Sequence, residues 1–416
     1  MSIITTQPSV AKQTVLLLGN YRLSLAIARQ LGKAGHRVVA GGARDGVIAR
    51  CIYVERVWDH PSMFKNERVF LAALDELLAE CPDISMIMPV SEVALLKLVK
   101  MRDQLPRPLA AVSRETVDTC CDKGKMALLA AELDVPQAPF ATVDSMEALV
   151  LAGEQVGYPC VARPNDGRNY DVKAYFINNR QHLHRLFPEW PSWHESLLVQ
   201  AHAKGPRYNR YFVADEGVIL DSLDVKIERT DRADGSGYAV EGVSVEPVNA
   251  LDAPCQRLIE KLEYSGVGCI QYLIDERRGR ISFLEINPRI GGNYAFPNAC
   301  GLDLVTPMMA LALGIPLASS EPASAHTFNK RFIWLYGDLI GLMSSVYKRE
   351  MGLRSALGWL FKSGRGLLRA DTHLTFERSD LGPSKWFAKR IGEALLVIAW
   401  DLARYVKRKI ASVLRL

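Results

Sequence analysis

Two apolar runs limit the possible structures of this chain more tightly than any other stretch: Gly268-Cys-Ile-Gln-Tyr-Leu-Ile274 and Ile281-Ser-Phe-Leu-Glu-Ile-Asn287, separated by the polar Asp275-Glu-Arg-Arg-Gly-Arg280. Short runs of this composition around a turn segment read as a β-hairpin, and Gly279 supplies the left-handed position of a three-residue loop at 277–279. Such a loop pairs Glu276 with Arg280. Carried back along the strands, that register sets Gln271 opposite Glu285 with β-carbons about 5 Å apart, and alternation keeps Asn287 on the same face. Two amides and a carboxylate converging in an apolar hairpin suit a hard cation, Mg²⁺ or Mn²⁺, better than zinc. Arg289 lies just beyond. A slip of one residue would turn Gln271 away, and spacing alone equally admits Glu285 and Arg289 as a solvated pair at a strand end.

The chain opens with a different pattern. An apolar strand, Thr14 to Gly19, precedes a helical pattern through Leu23, Ala26, Ile27 and Leu31, then a second strand at Arg37–Ala40. That is a βαβ unit. Further signals at Phe70–Leu78, Ile84–Pro89 and a helix opening at Ser91 and Glu92 predict an open parallel sheet over 13–112, whose ligands would bind at the carboxyl ends of its strands. Neither Gly19-Asn-Tyr-Arg22 nor Gly41-Gly42 forms a dinucleotide fingerprint. Lys123–Leu133 reads as a helix, and from 160 to 290 short strands dominate, with a helix at 252–264, which predicts an α+β unit built on antiparallel sheet. The expected division is an open-sheet domain at 1–114, a second domain at 115–324 in two halves meeting near 196/197, and a mainly helical basic extension at 325–416.

Phe-Leu-Glu285-Ile-Asn287-Pro-Arg289, with Gln271 upstream, resembles the metal-binding signature of the ATP-grasp superfamily, in the variety found in the carbamoyl-phosphate synthetase large chain and biotin carboxylase. The resemblance runs over roughly 13–316 and implies a Rossmann-like pre-ATP-grasp domain, then two α+β subdomains that clamp ATP. It implies metal ligands at Gln271, Glu285 and Asn287, catalytic cations at Arg163 and Arg289, and ATP contacts at Lys123, Arg163, Gln271 and Glu285. Lys123 follows Asp122 as in the family's Asp-Lys helix opening; Arg163 ends the Tyr158-Pro-Cys-Val-Ala-Arg strand. Val199, Gln200 and His202 match the hinge that holds adenine, and Ser91, Glu92 and Arg289 the acceptor-substrate side. The implied reaction is ADP-forming carboxylate–amine ligation with ATP and two divalent ions; bicarbonate activation is the rival within enzymes. The segment 164–170 retains only Gly167 where relatives carry several glycines, and Ala201 replaces the hinge acid, so a non-catalytic ATP-binding or scaffold protein is the rival outside them.

Gly235-Ser-Gly237, Glu241 and Lys226 admit a substrate or second-metal role or an ordinary loop, and five histidines (His36, His60, His184, His194, His326) have no partner spacing. With 49% hydrophobic and 23% charged residues the chain is an ordinary globular one, and its eight scattered cysteines read as reduced core residues. A polar N-terminus points to the cytoplasm. Residues 325–416 hold 17 Lys+Arg against 7 Asp+Glu, a balance of +10 within a net +5. Apolar positions from Phe387 to Val413 at helical spacing make 385–416 a basic amphipathic helix, packed on the body, on a second copy, or peripherally on an anionic membrane. Small-molecule carboxylate and amine substrates are expected, and no nucleic-acid partner.

Overall fold

The computed structural model describes residues 10–165, 174–191, 194–317 and 325–396. Its first sheet is built from β1 (Thr14–Leu18), β2 (Arg37–Gly41), β3 (Arg56–Trp58) and β4 (Ile84–Pro89), all parallel in the order β3-β2-β1-β4. Every residue of β1 is buried, as expected of a parallel strand covered on both faces. The helices α1 (Arg22–Lys33), α2 (Glu67–Glu80) and α3 (Glu92–Lys100) connect the strands. Each strand therefore delivers its carboxyl end to one rim, where Arg22 and Glu92 begin their helices.

After α4 (Arg114–Cys120) and α5 (Lys123–Glu132) comes a four-stranded sheet of β5 (Phe140–Val143), β6 (Cys160–Pro164), β7 (Tyr175–Ile177) and β8 (Leu197–Ala201), with α6 (Met146–Val156) and α7 (Arg180–Leu186) packed on it. Its order is β5-β8-β6-β7. Because β8 pairs with both β5 and β6, the break between sheets falls after Ala201 and not at 196/197. A strand at the edge of a hinge reads like the hinge itself.

A seven-stranded sheet follows: β9 (Arg207–Asp215), β10 (Val218–Thr230), β11 (Ala239–Val245), then, after α8 (Asp252–Lys261), β12 (Gly266–Asp275) and β13 (Arg280–Asn287). Beyond α9 (Ala295–Ala299) and α10 (Val305–Ala312), β14 (Arg331–Ile333) joins this sheet, then α11 (Leu335–Tyr347) and α12 (Leu353–Arg369) intervene before β15 (Thr372–His373), and a last helix, α13, covers 381–396. The order is β13-β12-β9-β10-β11-β14-β15, antiparallel except for the final pair. Segment 325–396 thus supplies two strands to the sheet. Strand β11 was not legible, because Gly242 interrupts its apolar pattern. A β-carbon there would come 2.6 Å from the Phe332 ring on β14, so the glycine is what lets the two strands pair.

The carboxyl-terminal segment returns to the first domain. Arg29 of α1 forms a buried ion pair of 2.8 Å with Asp380, Trp386 Nε1 donates to the carbonyl of Asp45 at 2.9 Å, and Phe387 is buried against Tyr336. The described part of the predicted amphipathic tail therefore packs on the body; residues 397–416 lie outside the described residues. Among the described residues no helix is long and apolar enough to cross a membrane. All eight cysteines are unpaired, seven of them buried.

Candidate active site

The hairpin forms with a different turn from the expected one. Asp275 pairs with Arg280, so the loop has four residues, 276–279, with Gly279 left-handed at φ +61°. Carried on unbroken, that register would set Gln271 opposite Leu284 and turn Glu285 into the core. Instead the register shifts between Gln271 and Tyr272, a β-bulge, and Gln271 faces Glu285 while Cys269 faces Asn287. The expected pairing holds, by a bulge and not by the loop. Without it, the carboxylate would be buried among the apolar residues that hold Tyr272 and Phe283.

Strand β12 also pairs with β9, where Gln271 faces Asn209. Glu285, Gln271 and Asn209 therefore form one row across three strands. Asn209 is buried, and its Oδ1 has no hydrogen-bond partner among the described residues. Sequence reasoning missed it, since nothing in Tyr208-Asn-Arg210 marks a site; only the strand order brings it in.

Cations surround Glu285. Burial alone would push its carboxyl up, yet Lys123, Arg163 and Arg207, with a hydrogen bond from Asn287 Nδ2 at 3.2 Å, together hold it below the usual carboxylate range. Each cation comes from a different element. Lys123 stands at the first position of α5, whose start is fixed by the Asp122 carboxylate accepting from Lys125 N at 2.9 Å and by Lys123 N donating to the carbonyl of Asn165 at 2.8 Å. Arg163 is near the end of β6 and bonds Gln200 of β8; burial lowers its pKa. Arg207 opens β9 and was also missed. The two sheets thus meet around one carboxylate.

Arg289 stands on the opposite side. Its Nη2 bonds Glu92 Oε2 at 3.0 Å and Asn287 Oδ1 at 3.3 Å, while Nε is buried with no partner among the described residues. Burial works against its charge, but Glu92 and the Tyr21 phenol group raise its pKa above the ordinary value. Glu92 is thus the ion-pair partner of Arg289. The hydroxyl of Ser91 caps α3 by accepting from Ala94 N at 3.2 Å. Beside them Arg22 is buried over the Trp334 ring at 3.7 Å and donates to two neutral acceptors, Asn293 Oδ1 at 2.8 Å and the carbonyl of Ala239 at 3.4 Å. Desolvation lowers its pKa to about 10. The Gly19-Asn-Tyr-Arg22 turn therefore delivers a buried cation to the rim.

At the hinge, Val199 is buried within β8 and the N–H of His202 donates to the carbonyl of Pro159 at 3.0 Å, so that donor is engaged within the sheet. Residues 166–173, which include Gly167, lie outside the described residues. Two other expectations need correction. Glu241 lies within β11, not between strands, and is ion-paired to Arg229 at 2.7 Å; and His326 does have a partner, Asp221, at 2.7 Å. Lys226 is paired with Glu276. Cys121 borders the site as a buried residue of the core, and burial raises its thiol to about 12.

Known proteins resemble this chain to differing extents. Residues 241–320 match the family described as carbamoyl-phosphate synthase L chain, ATP binding domain. The arginine-specific carbamoyl phosphate synthase large chain of Geobacillus stearothermophilus is 24% identical over 230 residues, 54% of this chain and 20% of that protein. The chain spans about a fifth of the length of the curated relatives it matches. Among solved structures, the biotin carboxylase domain of the 2-oxoglutarate carboxylase of Hydrogenobacter thermophilus, in complex with MgADP and bicarbonate, superposes with a TM-score of 0.61 at 14% identity, covering 77% of this chain and 73% of that one. An L-amino acid ligase from Bacillus licheniformis gives 0.58 at 14%, covering 78% and 79%. The chain shares the fold of these two structures, and the resemblance read from Glu285 to Arg289 has that fold and the matched family model beside the motif.

Proposed function

We propose that the chain is a magnesium-dependent, ADP-forming carboxylate–amine ligase. One observation carries this reading: a carboxylate on the open face of a hairpin, in a row with two amides, ringed by cations from three elements, with Arg289 beyond it. Among the described residues there is no group of three or more His, Cys, Asp or Glu placed to hold a metal. A divalent ion would have Glu285, Gln271 and Asn287 as its protein donors and needs further oxygens, which the phosphates of ATP offer. The unpartnered Asn209 Oδ1 fits the same donor set. Such an ion supplies charge stabilisation along the phosphate chain.

The chain's own residues would do the rest. Lys123, Arg163 and Arg207 neutralise the phosphates and the charge that builds on the transferred group. Glu92 and Asn287 fix the guanidinium of Arg289, which receives the carboxylate of the acid substrate. An oxygen of that carboxylate takes the terminal phosphoryl group and ADP leaves; the amine then displaces phosphate from the acyl carbon, losing a proton as the C–N bond forms. Positioning and electrostatics supply most of the acceleration.

ADP release across a panel of amino acids and small carboxylates, with hydroxylamine present to trap an acylphosphate as hydroxamate, tests the reading. Glu285→Ala and Arg289→Ala should each lower it on the order of 10²–10³-fold while the melting transition persists. Turnover unchanged in both variants defeats the reading. Bicarbonate, present with MgADP in the complex of the carboxylase neighbour, is the rival acid; bicarbonate-stimulated ADP release without hydroxamate assigns the site to it.

A further inference from the structure

Helix α12 presents three distinct faces. Ala356, Ser363 and Gly366 are buried, and the rotation of the helix is fixed by two hydrogen bonds to Asp338, itself fully buried: Trp359 Nε1 donates to Oδ1 at 2.7 Å and Ser363 Oγ to Oδ2 at 2.6 Å. With that rotation set, the apolar face points outward. Leu353 is 78% exposed, Leu357 59%, Phe361 73% and Leu368 88%, positions that recur every four to seven residues and so lie on one stripe. Leu360 and Leu367 border it. Single exposed leucines need no explanation, but a stripe of this length on a rigidly held helix does.

The third face is cationic. Arg354, Lys362, Arg365 and Arg369 follow each other along one flank of the stripe, all exposed and none in an ion pair among the described residues. No acidic residue occurs between 351 and 370. We propose that this face of α12 docks on an anionic lipid surface, with the Leu and Phe side chains entering the headgroup–acyl boundary and the four cations contacting the headgroups. A nucleic acid would answer the charges and leave the stripe in water. A second copy of this face would bring no acid to the cations. An anionic bilayer answers both at once, without any membrane-spanning segment, and the buried Asp338 bonds mean that the helix need not refold to bind. The inference stands apart from the ligase reading, since α12 carries none of the site residues.

The test is co-sedimentation of the full chain with vesicles of phosphatidylcholine, or of phosphatidylcholine mixed with phosphatidylglycerol. The chain should sediment with the anionic vesicles, less so as salt is raised, and hardly at all with the neutral ones. Phe361→Glu combined with Leu368→Glu should lower partitioning at least about tenfold, a difference of about 1.4 kcal/mol, with the melting temperature unchanged because both side chains are exposed. Replacing the four cations by Gln should abolish the preference for anionic vesicles. Equal sedimentation of these variants and the parent overturns the proposal. So does self-association that is lost in the Phe361→Glu, Leu368→Glu chain without any vesicle binding, which would assign the face to a second copy. Binding that disappears on deleting 397–416 yet ignores Phe361→Glu and Leu368→Glu assigns the contact to that segment, and likewise overturns it.

Discussion

The Arg229 cluster and the Glu285 cluster stand on the same seven-stranded sheet, and both hold carboxylates beside arginines. Around Arg229 every partner is met: Glu241 at 2.7 Å, Asp338 at 2.5 Å, and Trp359 and Ser363 completing Asp338. Around Glu285 the cations are near, but the hydrogen bond to its carboxylate comes from Asn287, and Asn209 Oδ1, Arg207 Nε and Arg289 Nε are buried with no partner among the described residues. Unmet polar groups cost stability, and three of them fall within this one cluster. The closed cluster holds α11 and α12 on the sheet; the open one is prepared for charge that the chain does not itself supply.

The severest test of this contrast is Arg229→Ala. It leaves the buried Asp338 and the half-buried Glu241 without their cation, which should cost about 3–5 kcal/mol in urea unfolding, while turnover per folded molecule is unchanged. If activity falls before stability does, the two clusters are not separate. Glu285→Ala has the reverse signature, loss of turnover with little loss of stability. Next in size is Asn209→Ala, which should weaken the apparent affinity for Mg²⁺ in the presence of ATP roughly tenfold; an unchanged metal requirement would remove Asn209 from the site. The smallest effect concerns His326. The Asp221 carboxylate raises its pKa above the ordinary 6.5, so the pair contributes fully below about pH 6 and the contribution fades as pH rises through the folded-state value. His326→Ala should flatten that part of the stability profile by under about 1 kcal/mol, read from melts at pH 5.5 and 8.5.

How much of this was legible follows from the kind of signal each part carries. The parallel strands of the first domain are continuous apolar runs and could be read directly, as could the hairpin, because Gly279 and the alternation around Glu285 are local. The row that completes the site is not local. Asn209 and Arg207 enter it only because β9 lies next to β12, and a strand order is not written in any one segment. The hairpin is instructive in another way. Gln271 opposite Glu285 came from a loop one residue too short, and the bulge restored the register that the longer loop had shifted. Glu241 was misplaced because Gly242, needed for close approach to Phe332, disguises its strand as a loop.

The closing of the first domain by the last has a consequence for biosynthesis. The carboxylate that neutralises Arg29 belongs to Asp380, 351 residues downstream. At roughly 5–20 residues per second, a nascent chain waits on the order of 20–70 s with that cation unmatched. Folding of the first domain is therefore finished only once Asp380 has been made, and a premature stop after residue 324 would leave β11 with an open strand edge of the kind that quality-control machinery and aggregation both exploit.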